Sequence, residues 1–179
     1  MKLLAALILV VGALSPALAN PTPSVETTWV DALGIEWVYS EDVDAIDDRR
    51  QVTAYGALPA RTPAGGAAIG MICVEGWGPK ARLDVPEWNV PQNERRLLQG
   101  RVDQGAAFDV EVVGTPIATT LVDVVYSRGG RELLDGLRTA RERIAIRGPN
   151  DRVILFPMTT ERPEIARAWA RCREFHPRR

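Results

Sequence analysis

The chemistry open to a chain depends on its nucleophiles, bases and metal donors, and among these 179 residues they are few. The single histidine, His176, sits in the closing run Phe175-His176-Pro177-Arg178-Arg179, where fraying is the default. A Ser–His or Cys–His mechanism needs that base held beside its nucleophile, so a triad on His176 would require the tail to be fixed to the body. Lys80 is the only lysine beyond Lys2, and no serine is near it in sequence. A Ser–Lys dyad with Ser24, Ser40 or Ser127 would rest on three-dimensional proximity alone.

The acidic run Glu41, Asp42, Asp44, Asp47 and Asp48 begins like a calcium loop. Counted from Asp42, however, the sixth position is Asp47 where such a loop needs Gly, and the twelfth is Thr53 where it needs Glu. The run reads as a polar turn whose carboxylates bond nearby amides or pair with Arg49 and Arg50. One histidine and two cysteines leave no zinc set, and no Gly-rich phosphate loop follows a strand and opens a helix. No metal and no cofactor are expected. Asp109 and Glu111 share a strand face and could be taken for the carboxyl pair of a glycosidase, although neighbouring outward positions read more simply as a wet face.

Two tryptophans stand beside turn residues, in Gly76-Trp77-Gly78-Pro79 and Glu87-Trp88-Asn89-Val90-Pro91. Tryptophan is favoured at binding hot spots, which makes Trp77 and Trp88 the candidate binding surface. The ordinary alternative is a tryptophan at a strand end that caps the core.

The amino-terminal stretch sets the compartment. Lys2, an apolar run from Leu3 to Leu14, Pro16, and then Ala17-Leu18-Ala19 follow the layout of a secretory signal with small residues at the cut. The run falls short of the roughly 20 apolar residues that a membrane span needs. Cleavage would leave Asn20 at the new terminus and not a lipid-accepting Cys, so the expected product is a periplasmic or secreted protein with no stable membrane insertion. In such a compartment an even cysteine count makes a Cys73–Cys172 disulfide the simplest inference. Two free buried thiols or a redox pair are the alternatives, and a redox pair usually has close spacing such as Cys-x-x-Cys.

A net charge of -1 gives no reason to expect nucleic acid or an anionic membrane as the main partner. From Glu26 to Asp48 every formal charge is negative, whereas the last fifty residues carry more Arg than Asp and Glu. Both ends read first as solvated surface.

The elements that must position these residues are short. After the signal (1–19) and a Pro/Ser/Thr leader expected to be disordered (20–28), one β-rich domain is expected over 29–175, with 176–179 a flexible tail. Strands are predicted at 35–40, 50–58, 67–74, 81–85, 95–102, 107–113 and 119–126. The sixth alternates, with Phe108, Val110 and Val112 on one face and Asp109 and Glu111 on the other, as in an antiparallel sheet with one wet face. Asp103-Gln104-Gly105 supplies a hairpin turn before it. The last third predicts a helix over 132–140 from Leu133, Leu134, Leu137 and Ala140. A hairpin over 143–147 and 152–157 follows, closed by Gly148-Pro149-Asn150-Asp151. A final helix opens at Pro163 with Ile165, Ala168, Trp169 and Cys172 on one stripe. The fold class is therefore mainly antiparallel β, β-sandwich-like, with two short α-helices in the C-terminal third.

That order resembles a loose group of bacterial periplasmic proteins, of the type VI secretion-associated TagO/VasI type and the invasion-associated locus B type. The matching stretches are Trp37-Val38-Tyr39-Ser40 leading into Asp47-Asp48-Arg49, a strand ending near Cys73, Arg101-Val102-Asp103, the helix and hairpin from Leu133 to Ile146, and the terminal helix with Cys172. The resemblance implies a β-sandwich-like domain with a strand-to-helix disulfide and no established enzymatic activity, and it transfers no catalytic residue. The expectation is a non-catalytic binding or accessory protein of the envelope, tied to secretion or virulence, whose partner is an envelope or secretion-system protein. A carboxylate-dependent hydrolase of envelope polymers is the alternative.

Overall fold

The computed structural model describes residues 25–43, 48–60, 64–85, 88, 90–114, 120–123, 128–148 and 151–176. Ten strands form one sheet: β1 (Val25–Val30), β2 (Glu36–Val43), β3 (Arg50–Ala57), β4 (Ala68–Val74), β5 (Gly78–Asp84), β6 (Arg95–Val102), β7 (Phe108–Gly114), β8 (Thr120–Asp123), β9 (Arg143–Arg147) and β10 (Val153–Pro157). Helix α1 (Gly130–Thr139) lies between β8 and β9, and α2 (Pro163–Phe175) follows β10. The expected class, mainly antiparallel β with two helices in the C-terminal third, is the class observed.

The strand order is β1-β2-β3-β4-β5-β8-β7-β6-β9-β10, and every neighbouring pair is antiparallel. The ladder passes unbroken from β5 to β8, so the two halves of this sandwich-like fold belong to one hydrogen-bonded sheet. Period-2 alternation sets which face is buried. Trp37 and Tyr39 of β2, Ile69, Met71 and Cys73 of β4, Ala81 and Leu83 of β5, Val110 and Val112 of β7, Ile144 and Ile146 of β9, and Ile154 and Phe156 of β10 join one core with Leu133, Leu134 and Leu137 of α1 and Ile165 and Ala168 of α2. The two ends of the sheet approach each other at the β1–β2 turn. There the buried Asp31 accepts the amides of Leu33 (2.8 Å) and Ile35 (3.0 Å) and the indole N–H of Trp37 (2.9 Å), while Thr159, just past β10, reaches the same carboxylate at 3.4 Å.

Close approach requires glycine at several positions, two of which shape the elements that follow. A Cβ on Gly129, whose φ is 74°, would lie 2.0 Å from the Asp109 carbonyl oxygen, so glycine there lets the chain enter α1 beside β7. A Cβ on Gly148 would lie 2.4 Å from the Trp88 ring.

Two expectations about the ends need correction. The leader over 20–28 is not disordered throughout: residues 25–28 belong to β1, an edge strand paired along its length with β2. Val25, Thr27 and Thr28 are β-branched, and an edge strand with an exposed face needs no apolar alternation to form. Nor does His176 fray, as described below. The signal stretch, Asp44, Asp47 and 177–179 lie outside the described residues.

Candidate functional site

Cys73 points inward from β4 and Cys172 inward from α2, and the two are joined by a disulfide with their Cα atoms 5.7 Å apart. The bridge pins α2 across the strands that it covers, with Ile165, Ala168, Cys172 and Phe175 as its buried stripe. The helix ends at His176, whose Nε2 lies 3.1 Å from the Gly78 amide and 3.2 Å from the Val74 carbonyl oxygen. An unprotonated Nε2 accepts from Gly78, whereas a protonated one donates to Val74. Either way the imidazole docks the end of α2 onto the β4–β5 turn. His176 therefore belongs to the folded body and not to the flexible tail in which sequence reading placed it, because one ring can replace two backbone partners at a turn.

The two candidate tryptophans do not share a surface. Trp77, at the tip of the β4–β5 turn, is 59% exposed, with Arg49 at 5.0 Å and Lys80 at 5.4 Å from its ring centre. Trp88 is 8% exposed and packs against Gly148, its indole N–H buried with no partner among the described residues. The whole of β5 separates them, roughly 20 Å of extended chain. Trp88 caps the core, which is the ordinary alternative, and Trp77 alone of the pair is presented to solvent.

The carboxylates are mostly engaged. Glu41 accepts the Tyr39 hydroxyl and pairs with Arg171 at 3.0 Å and Arg167 at 3.9 Å. Burial, reinforced by that hydrogen bond, pushes the Tyr39 hydroxyl well above the usual phenol range. The Arg50 guanidinium, 2.7 Å from Glu75, holds that carboxyl at about 2. Asp109 pairs with Arg128 at 3.1 Å and Glu111 with Arg95 at 2.7 Å, so the strand-face pair is committed to arginines. Asp103, in the β6–β7 turn, accepts the amides of Arg141, Glu142 and Arg143, each at 2.9 Å, and these bonds lower its pKa. No group of three metal donors occurs among the described residues.

A groove of about 850 Å³ lies between α1 and α2. Leu137, Ile165 and Trp169 supply its apolar lining, and Arg138, Arg162, Arg173 and His176 its donors. Arg162, only 7% exposed, precedes Pro163 at the start of α2 and donates to the carbonyls of Ala140 (2.9 Å) and Thr159. Burial draws its guanidinium below the ordinary arginine range. Arg138 stacks 5.1 Å from the centre of the Trp169 ring, whose N–H is buried without a partner among the described residues. Sequence reading placed Trp169 on the core stripe. It lies instead at the edge of that stripe, half-buried, and turns one side of α2 toward the groove. Its bulk beside Ala166 and Ala170 was the available signal. His176 touches both the groove and the Trp77 turn, so the two features adjoin.

Comparison with protein-family models, with curated proteins and with solved structures finds no match to this chain.

Proposed function

We propose that this chain is an exported, non-catalytic binding or accessory protein of the cell envelope, resident in the periplasm or secreted, which meets its partner at the α1–α2 groove and the adjoining Trp77 turn. The observation that carries the reading is the groove itself. It has the volume of a ligand site, an apolar lining, and a donor set dominated by Arg138, Arg162 and Arg173 with Glu161 as its one carboxylate. Such a lining favours an apolar group flanked by acceptors. The disulfide and the lack, among the described residues, of a helix able to cross a membrane agree with export. The resemblance to periplasmic secretion-associated proteins gives the class of partner, an envelope or secretion-system protein. Hydrolysis by paired carboxylates is less favoured, because Asp109 and Glu111 are each held by an arginine.

The test is co-purification from the exporting cell, comparing the wild-type chain with Arg138→Glu/Arg173→Glu and with Trp77→Ala, each checked for native melting. The reading expects a partner that the wild type retains and the double variant loses. Equal retention by all three proteins, or hydrolysis of envelope polymers by the purified chain, would sink it.

A further inference from the structure

The seven arginines in the strands fall into two groups. Arg50, Arg82, Arg95 and Arg96 each hold a carboxylate: Glu75, Asp84, Glu111 and Glu94. Arg101, Arg143 and Arg147 form no ion pair among the described residues, and these three are neighbours. Arg101 on β6 faces Ala145 on β9, which places Arg143 and Arg147 at its two diagonal positions, roughly 7–8 Å away. All three line one shallow cavity of about 270 Å³ on the outer face of the sheet, together with Gln99 and Leu155. The nearby acids are occupied: Asp109 by Arg128, and Asp103 by three backbone amides. Like charges at this spacing repel, and an unrelieved cluster of them is a site of complementarity for negative charge.

The strand bordering this patch ends the ladder. Among the described residues β10 pairs with β9 alone, so half of its amides and carbonyls point away from the ladder, toward a cavity of about 300 Å³ that Leu33, Ile35, Leu58, Pro59 and Ala64 line from the other side. Its outward side chains are apolar and uncovered, Val153 at 45% and Leu155 at 49% exposure, alternating with buried Ile154 and Phe156. No Lys, Pro or bulge interrupts it before Pro157. An edge that ends the ladder, an apolar strip along it, two guanidiniums on the next strand and a third on the strand beyond, none of them in an ion pair among the described residues, describe the complement of one kind of ligand.

We propose that the β9–β10 edge is a second recognition surface, independent of the groove. It takes an extended acidic segment of a partner protein, which adds to the sheet beside β10. The segment's backbone pairs with the open edge, its apolar side chains lie on Val153 and Leu155, and its carboxylates reach across to Arg143, Arg147 and Arg101.

The test is calorimetric titration of the purified chain with a short capped peptide in which every second residue is Thr and the positions between them carry Glu and Val in turn, so that Glu and Val share one strand face. Three comparators are used: the same peptide with Gln for Glu, the Glu peptide interrupted by Pro, and inorganic phosphate. The Glu–Val peptide is expected to bind, and the Gln and Pro versions to bind at least about tenfold more weakly. Arg143→Glu/Arg147→Glu should lose binding by a similar factor while melting as the wild type does, and Arg101→Gln should shift it in the same direction. Arg173→Glu, in the groove, should leave it unchanged, which separates this surface from the groove reading. The proposal is overturned if the Glu–Val peptide does not bind, if Gln serves as well as Glu, or if the arginine variants bind normally. Equal affinity for the Pro-interrupted peptide or for phosphate would also overturn it, in favour of a simple anion patch.

Discussion

The strands under α2 and the strands at the far edge of the sheet use the same residue types to opposite ends. Around β2, β3 and β4, arginine answers acid: Arg171 and Arg167 meet Glu41, Arg50 meets Glu75, and the Cys73–Cys172 bond fixes the helix that supplies two of those cations. Around β6, β9 and β10, Arg101, Arg143 and Arg147 stand together with no ion pair among the described residues, beside the strand that ends the ladder. A charge next to its opposite holds the chain to itself. A charge repeated without an opposite leaves free energy to be recovered by binding, which is why the second region, and not the more elaborate first, carries the proposal about partner chemistry.

The comparison breaks most visibly at the disulfide. Closing a loop of sequence separation 99 stabilises a native state by about 4–5 kcal/mol in the chain-entropy model. Cys73→Ala/Cys172→Ala should lose much of that in urea unfolding, and reductant should bring the wild type to the same midpoint. The tryptophans come next. Trp88→Ala removes a buried ring and should cost about 3–5 kcal/mol, whereas Trp77→Ala should stay within about 0.5 kcal/mol of wild type. Equal costs would mean that Trp77 belongs to the structural half after all.

A smaller effect sharpens the contrast between the arginines. Arg101→Gln should leave stability unchanged or raise it by roughly 0.2–1 kcal/mol, since it relieves repulsion and breaks no ion pair among the described residues. A clear loss of stability would mean that Arg101 has a structural partner. The smallest effect is the pH dependence of Glu75. Its carboxyl titrates at about 2 in the folded protein against an ordinary 4.5, so the unfolded chain binds its proton first as pH falls. Its contribution is complete above the ordinary value and is lost as pH drops from about 4.5 toward about 2. The stability difference between wild type and Glu75→Gln should therefore be constant near neutrality and close across that window. A difference that persists unchanged down to pH 2 would contradict the pairing with Arg50.

Local pattern made much of this architecture readable before any coordinates. Ile144 and Ile146, set off by the turn residues after Arg147, mark β9 at its observed bounds, and Pro163 marks the start of α2. The disulfide followed from cysteine parity and from reading residues 1–19 as an export signal. What could not be read depended on residues distant in sequence. The polar edge strand β1 carries no alternation, and its partner β2 is what orders it. The junctions β5–β8 and β6–β9, which place Arg101 beside Arg143 and Arg147, are long-range pairings that no window of sequence displays. The groove likewise needs α1 and α2 side by side, so Trp169 read as a core ring, and Arg138 drew no notice, until the helices were packed.

The central claim is that this protein acts by holding a partner at surfaces left open by its own packing. It is tested most directly by photo-crosslinking in the cell, with a photoreactive residue placed singly at Ala166 in the groove, at Val153 on the open edge, and at exposed Glu132 on α1 as a control. The account predicts discrete protein adducts at 166 and 153 and none at 132, with the adduct at 153 abolished by Arg143→Glu/Arg147→Glu. Adducts no stronger at 166 and 153 than at 132 would contradict it.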